Sequence, residues 1–185
     1  MSPPSMSSPA AGRLRITEIA IRPLTEADAG IYRAFRLLML EESPTAFGSD
    51  LAEAAARPPS YFRKRASNQP DDFIMAAFNG NELVGSAGAF REQEKKRRHL
   101  ATVVGMYVHP DHRGRGLGAR LLDAVLQRLR ALPDLEFVQL SVTAGNEPAL
   151  KLYQRAGFTV YGLEPAALKV AGANHDELLM SLELG

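Results

Sequence analysis

A glycine-rich segment at residues 113–118, RGRGLG in one-letter code, follows an apolar run and precedes an amphipathic stretch with helical spacing. Glycine lets the backbone turn tightly, so that successive N–H groups converge on one point. The free N–H groups and the positive dipole end of the following helix face the same point. The segment therefore predicts a site for a pyrophosphate group, and a plain turn before a helix is the alternative.

Two common phosphate-binding loops do not fit this segment. A mononucleotide-binding P-loop requires Gly-Lys-Ser or Gly-Lys-Thr, whereas Gly118 is followed by Ala119 and Arg120. A dinucleotide-binding fingerprint belongs to the first strand of a βαβ unit, with an acidic residue about 20 positions downstream. Here the preceding strand follows antiparallel-looking strands, so that fold fits poorly as well.

Length, charge and cysteine content exclude several classes of protein. The chain has 185 residues, 45% of them hydrophobic, with 22 Lys and Arg against 21 Asp and Glu. These values are typical of one globular domain, and the near-zero net charge gives no general reason to expect a nucleic-acid partner. The chain has no cysteine, which excludes a thiol nucleophile, a disulfide framework and a cysteine-ligated metal. We predict no metal site.

Residues 1–13 are rich in Ser, Pro and Ala and offer little to bury. Because such a segment cannot offset its ordering entropy, we predict a disordered tail at 1–13 and a single domain at 14–185. The sequence has neither the apolar core of a signal peptide nor an apolar stretch of about 18 residues. We therefore expect a cytoplasmic protein without membrane contact, and the natural start is either Met1 or Met6.

Hydrophobic periodicity places the elements along the chain. Strands are predicted at 16–24, 73–78, 83–91, 99–108, 135–142, 158–163 and 177–183, and helices at 26–40, 50–57, 61–66, 117–132 and 148–156. The strand at 99–108 is apolar on both faces, which is typical of the middle of a sheet, and its Gly105 indicates either a bulge or a close backbone approach. This order predicts a mixed α+β domain rather than continuous βαβ alternation.

Two segments together resemble the GNAT superfamily of N-acetyltransferases. Residues 113–118 match the family signature Arg/Gln-x-x-Gly-x-Gly/Ala, and the resemblance includes the preceding residues 106–110. Residues 146–158 match the family pattern Asn-x-x-Ala-x-x-x-Tyr-x-x-x-Gly-Phe. The order of strands and helices agrees as well, so the resemblance covers the chain beyond the tail.

The resemblance implies a mixed, mostly antiparallel central sheet flanked by helices, whose fourth and fifth strands splay apart where acetyl-CoA binds. Backbone groups of the fourth strand would bind the pantetheine arm, and amides of the glycine-rich segment would hold the pyrophosphate. Asn146 would either bind the cofactor or cap its helix. The implied cofactor-binding residues are Met106, Tyr107, Val108, Arg113, Gly114, Arg115, Gly116, Leu117, Gly118, Ala119, Asn146 and Tyr153.

The reaction implied by the resemblance is direct attack of a substrate amine on the thioester. An alkylammonium, with a pKa of about 10, must lose a proton before it can attack. A backbone N–H near Tyr107 or Val108 would stabilise the oxyanion. Tyr153 stands at the family's general-acid position and would protonate the departing thiolate. The alternative role for Tyr153 is to pack its ring under the cofactor.

No residue is predicted as the general base. Many family members use a glutamate on or near the fourth strand, but residues 99–108 contain no carboxylate. The candidates are His99, Glu41, Glu42, Tyr107 and His109, with a structural or surface role favoured for His109. An ordered water is a further option, and so is an amine that arrives already neutral.

The predicted acceptor is a primary amine of a small molecule or an amino acid. The alternatives are a protein N-terminus or lysine, or a non-catalytic acyl-CoA-binding sensor.

The loop at 41–47 either builds the acceptor pocket, with Phe47 in its wall, or places Phe47 in the core and its carboxylates in water. The basic run at 94–99 lacks interleaved aromatics, so we expect a solvated turn and no nucleic acid. The sequence does not decide whether the protein forms a homodimer, and a homodimer is one possible state.

Overall fold

Within the part of the chain that the structure describes, seven β-strands form one sheet and five α-helices flank it. The computed structural model describes residues 19–185. The strands are β1 (Ala20–Pro23), β2 (Asp72–Asn79), β3 (Glu82–Arg91), β4 (Leu100–Val108), β5 (Phe137–Thr143), β6 (Thr159–Val170) and β7 (Ala173–Glu183). The helices are α1 (Ala29–Glu42), α2 (Leu51–Ala55), α3 (Pro59–Arg65), α4 (Leu117–Arg130) and α5 (Glu147–Arg155).

The strands lie in the order β1-β2-β3-β4-β5-β7-β6. Every neighbouring pair is antiparallel except β4 and β5, which run parallel. This confirms the predicted mixed, mostly antiparallel sheet. The predicted tail at 1–13 and the first residues of the predicted strand at 16–24 lie outside the described residues. The boundary between tail and domain therefore stays a prediction.

β4 and β5 pair over only a short stretch. Leu100 lies opposite Phe137 and Thr102 opposite Gln139, and within residues 19–185 no later residue of β4 pairs with β5. β5 continues against β7 as far as Thr143. The two strands therefore separate toward their C-terminal ends, as predicted. The separation leaves backbone groups of β4 without a strand partner on that side.

A bulge in β4 lies within the separated stretch. Ser86 of β3 lies opposite Tyr107 and Gly88 opposite Val104, so β4 has one extra residue here. Gly105 has a φ of +62°, in the left-handed region that favours glycine. Its carbonyl accepts a hydrogen bond from Ser86 Oγ at 3.1 Å. The predicted bulge at Gly105 is confirmed.

The sheet lies between two apolar layers. In one layer α4 buries a stripe at the spacing of an amphipathic helix, made of Leu117, Leu121, Leu122, Val125, Leu126 and Leu129. Tyr153 and Phe158 belong to the same layer. In the other layer α1 and α3 bury Phe35 and Phe62 together with Tyr107 of β4. β4 therefore lies between both layers, where its backbone position is firmly held.

The last two strands are longer than the sequence predicts. β6 extends to Val170 instead of ending at residue 163, and β7 begins at Ala173 instead of residue 177. Register shifts after Val160 and after Glu164 interrupt the β6–β7 ladder. The first shift adds one residue to β6, which switches the following side chains to the other face, and the second adds two more. The regular alternation on which the prediction depends is therefore broken.

The basic run at 94–99 lies on the surface. Its centre, Lys95–Arg97, forms an exposed 3₁₀ turn between β3 and β4. This is the solvated turn that the sequence predicts. In the part of the chain that the structure describes, no helix is both long enough and apolar enough to cross a membrane.

Candidate active site

A cleft of about 760 Å³ opens beside the separated end of β4. Its walls are β4, the glycine-rich loop, the start of α4, and α5. The predicted cofactor-binding residues that line it are Met106, Tyr107, Val108, Arg113, Gly114, Gly116, Leu117, Gly118, Ala119 and Asn146. Arg115 and Tyr153 are the two predicted residues that do not line it. The fold therefore gathers most of the predicted site around one cavity.

The glycine-rich loop has a backbone shape suited to an anion. Gly114 and Gly116 have φ values of +74° and +73°, and a Cβ added at either would meet nothing within 4 Å. The backbone conformation, and not crowding, is therefore what requires glycine here. Gly116 is the N-cap of α4, and no side chain of residues 19–185 caps this helix end. The first N–H groups of α4 are thus available to a ligand.

Arg113 fastens the loop to neighbouring elements. Its Nε donates to the Val108 carbonyl at 2.8 Å, and its Nη2 donates to Glu42 Oε2 at 2.9 Å. Its guanidinium carbon lies 5.4 Å from the centre of the Tyr107 ring. The Arg113 side chain is thus already bonded to groups of the protein itself. Arg115 is exposed. The role predicted for both arginines, added positive charge beside a pyrophosphate, stays a prediction.

α5 carries the second predicted motif. The Oδ1 atom of Asn146 accepts a hydrogen bond from the Ala149 N–H at 3.3 Å and caps the helix. Asn146 also lines the cleft, so capping does not remove it from the site. Of the two roles that the sequence left open, the helix cap is the one that the contacts support directly.

Tyr153 is buried in the α4 layer, with 6% of its surface exposed. Its ring meets Phe158 edge-on, with the two centroids 5.9 Å apart. Burial raises the pKa of Tyr153 to about 12. The phenol is therefore protonated near neutral pH, which is the form that a proton donor needs. Its role as general acid stays a prediction.

Two basic residues of the cleft were not predicted. Lys151 and Arg155 line it from α5. They are four positions apart and so share one face of the helix. Their spacing was available in the sequence, but a basic pair at this spacing is also common on solvent-facing helices. Together they add positive charge to the part of the cleft wall that α5 forms.

The contacts of Glu42 and Tyr107 argue against both as the general base. Hydrogen bonds from Ser43 and from Arg113 lower the pKa of Glu42. Burial, and then the charge of Glu42, raise the pKa of Tyr107 to about 12. A carboxylate with a lowered pKa is a weak base, and a phenol with a raised pKa stays protonated. Neither group therefore matches the requirement for a base that works near neutral pH.

His109 has a structural role. Its Nδ1 accepts a hydrogen bond from the Asp111 N–H at 3.3 Å and caps the 3₁₀ turn Pro110–His112. The backbone N–H of His109 donates to the Val84 carbonyl at 2.9 Å. The structural role favoured by the sequence is thus supported by contacts. Phe47 packs partly buried against the layer of α1 and α3, with its ring centre 6.4 Å from that of Tyr107, and it also lines the cleft. Its place in the wall of an acceptor pocket stays a prediction.

Replacing Glu42 by glutamine is expected to leave catalysis nearly unchanged. We expect kcat to stay within about threefold of wild type and the pH profile of kcat/KM to keep its position, because the hydrogen bonds that lower the pKa of Glu42 make it a weak base. Turnover measured across pH checks this, with Glu164→Gln as the matched control, because Glu164 is an exposed residue of β6 that does not line the cleft. A loss of about 100-fold, or a displaced acidic limb, would restore Glu42 as a base.

Comparison with known proteins identifies the family. Residues 34–158 match the model of the acetyltransferase (GNAT) family. The chain belongs to this family. The predicted family membership and the predicted acetyl-CoA-dependent acyltransferase are confirmed.

Individual relatives of this acetyltransferase agree with the assignment. An L-methionine sulfoximine/L-methionine sulfone acetyltransferase of Pseudomonas paraeruginosa is 31% identical over 142 residues, which cover 76% of this chain and 80% of the relative. The N-alpha-acetyltransferase RimI of Mycobacterium tuberculosis is 33% identical over 118 residues, covering 63% and 70%. The solved structure of a GNAT-family acetyltransferase from Streptococcus pneumoniae superimposes with a TM-score of 0.79 at 24% identity, covering 91% of this chain and all of that one.

Proposed function

We propose that this acetyltransferase moves the acetyl group of acetyl-CoA to the primary amine of a small molecule or an amino acid. The observation that carries the proposal is the cleft where β4 separates from β5, with the glycine-rich loop and the start of α4 in its wall. A thioester cofactor with a pyrophosphate needs both a free strand edge and an anion-binding loop, and this cleft combines them.

Different residues of the cleft bind different parts of the cofactor. Amides from Gly114 to Ala119 hold the pyrophosphate, and Lys151 and Arg155 add positive charge from α5. Backbone groups of β4 between Met106 and Val108, which have no β5 partner, bind the pantetheine arm. When bound, acetyl-CoA supplies an activated acetyl group. The chain positions the two substrates, offers backbone groups for hydrogen bonds and donates a proton.

Acetyl transfer proceeds by direct attack of the amine. The chain contains no cysteine, so a cysteinyl thioester is excluded as an intermediate. A β4 backbone N–H near Tyr107 or Val108 stabilises the oxyanion, and Tyr153 donates the proton that the departing thiolate needs. The amine reaches the site in its neutral form or loses its proton to an ordered water, since no carboxylate lies on β4.

A protein N-terminus is the second candidate acceptor, because one relative is an N-alpha-acetyltransferase. We favour a small acceptor, since the relative that covers more of this chain acts on methionine sulfoximine and methionine sulfone. The cytoplasmic location and the homodimer stay predictions.

Release of free CoA thiol in the presence of acetyl-CoA tests the function directly. A panel of amines, free amino acids, aminoglycosides and N-terminal peptides is added in turn, and thiol release is followed with a thiol reagent. We expect release that depends on the added amine, together with a mass increase of the amine by one acetyl group. Binding of acetyl-CoA without amine-dependent release for any member of the panel would favour the sensor.

A further inference from the structure

A second cavity lies on the α1 and α3 side of the sheet. Its volume is about 270 Å³, and its lining includes Tyr32, Arg36, Tyr61, Arg65, Ser86 and Gly105. No aspartate or glutamate lines it. Gly105 is the bulged residue of β4, so this cavity reaches the strand that forms one wall of the cofactor cleft, at the bulge. We call it the arginine pocket.

Arg36 is the charge in the arginine pocket that has no counter-ion. Its guanidinium is half-buried; Nη2 donates to Ser49 Oγ at 2.9 Å, and the group lies 5.1 Å from the centre of the Phe47 ring. Within residues 19–185 no carboxylate lies within 4 Å of it. Arg65, by contrast, pairs with Asp72 at 2.9 Å.

The burial of Arg36 is unfavourable as it stands. Removing a guanidinium from water without a counter-ion costs free energy, and burial lowers the pKa of Arg36 for the same reason. An anion bound in the pocket would supply the missing partner. The planar guanidinium matches a carboxylate, which it can bind through two parallel hydrogen bonds.

We propose that the arginine pocket binds the carboxylate of the acceptor through Arg36, so that the enzyme acetylates free α-amino acids. The proposal rests on the proposed acetyl transfer and specifies its acceptor. It favours an amine with an adjacent negative charge over polyamines, aminoglycosides and peptide N-termini.

The position of Arg36 supports an α-amino acid in particular. A Cβ built on Gly105 would lie 4.0 Å from Arg36 Nη1, which places the guanidinium directly beside the β4 bulge. In an α-amino acid, the amine and the carboxylate share one carbon. A carboxylate held at Arg36 therefore keeps the amine next to β4, near the predicted oxyanion-binding N–H groups. The small volume suits one residue more than an extended chain.

The first test uses the wild-type enzyme and matched acceptors. Thiol release is measured with free L-amino acids, including L-methionine sulfone, and with the carboxamide of each. The carboxamide keeps the amine and the side chain but removes the charge. We expect kcat/KM to be about 10- to 100-fold higher for the free acids, as for other charge-assisted contacts. Equal values for both forms would overturn the arginine pocket and leave acetyl transfer intact.

The second test changes Arg36 itself. We expect Arg36→Met to raise KM for the free acid by about 10- to 100-fold and to leave KM for the carboxamide and the Kd of acetyl-CoA within about threefold. Arg36→Lys should restore part of the preference. Arg33→Met is the matched control, because Arg33 lies one turn away, donates to the Ala55 carbonyl and does not line the pocket.

A readout without turnover separates the two proposals. With CoA present, a free amino acid should raise the melting temperature of wild type but not of Arg36→Met. If amino acids stabilise the protein in this way while no amine is ever acetylated, the proposed function fails and the arginine pocket stands. If amines are acetylated and the preference for free acids survives in Arg36→Met, the arginine pocket is wrong.

Discussion

Replacing Gly116 by glutamate is expected to abolish acetyl-CoA binding at concentrations that saturate wild type, raising Kd by about 100-fold or more. Gly116 has a φ of +73°, which a side chain tolerates poorly, and the new carboxylate would stand where we place the pyrophosphate. Isothermal titration, or the rise in melting temperature with added acetyl-CoA, measures the effect.

Gly80→Glu is the matched control for this substitution. Gly80 has a φ of +62° with nothing within 4 Å of an added Cβ, and it lies in the turn between β2 and β3. The control therefore introduces the same charge and similar backbone strain at a glycine that does not line the cleft. If both variants bind acetyl-CoA as tightly as wild type, the glycine-rich loop does not hold the pyrophosphate.

Replacing Tyr153 by phenylalanine is expected to lower kcat by about 100-fold while the Kd of acetyl-CoA stays within about threefold. The substitution removes one hydroxyl and keeps the ring that packs on Phe158. A proton donor typically contributes at least this much to the rate. Single-turnover measurements with saturating acetyl-CoA separate the chemical step from binding.

Tyr161→Phe is the control for Tyr153→Phe, because Tyr161 lies on β6 and is 56% exposed. It should leave kcat unchanged. If Tyr153→Phe instead raises Kd and keeps kcat, the ring supports the cofactor and the hydroxyl is not the acid. The raised pKa of Tyr153, about 12, also predicts that no limb of the pH profile below about pH 11 belongs to this group.

The features that the sequence predicts well are those that depend on only a few neighbouring residues. Gly105 within an apolar strand indicates the bulge, and the glycines at 114 and 116 predict the tight turn before α4, where both have a positive φ. Asn146 followed by Pro148 predicts a helix start, and α5 begins there. Local backbone chemistry decides each of these features, so distant contacts do not change them.

The arginine pocket depends on contacts that no local pattern encodes. Arg36 and Gly105 are far apart in the chain, and they meet only because α1 packs across β4. On the sequence alone, an arginine in an amphipathic helix is expected to face solvent. The length of the β6–β7 hairpin is hidden for a related reason, since its bulges remove the regular alternation of a strand.

The bond between Arg113 and Glu42 joins the glycine-rich loop to the last turn of α1, the helix that also carries Arg36. In our proposals the cofactor binds the glycine-rich loop and the acceptor binds α1, so this ion pair connects the two binding sites. If binding of one ligand changes the affinity for the other by some factor, the second ligand must change the affinity for the first by the same factor. Both side chains are partly exposed, at 47% and 35%, so salt screens the pair. Whatever cooperativity this bond carries between the two ligands is therefore small and fades as ionic strength rises.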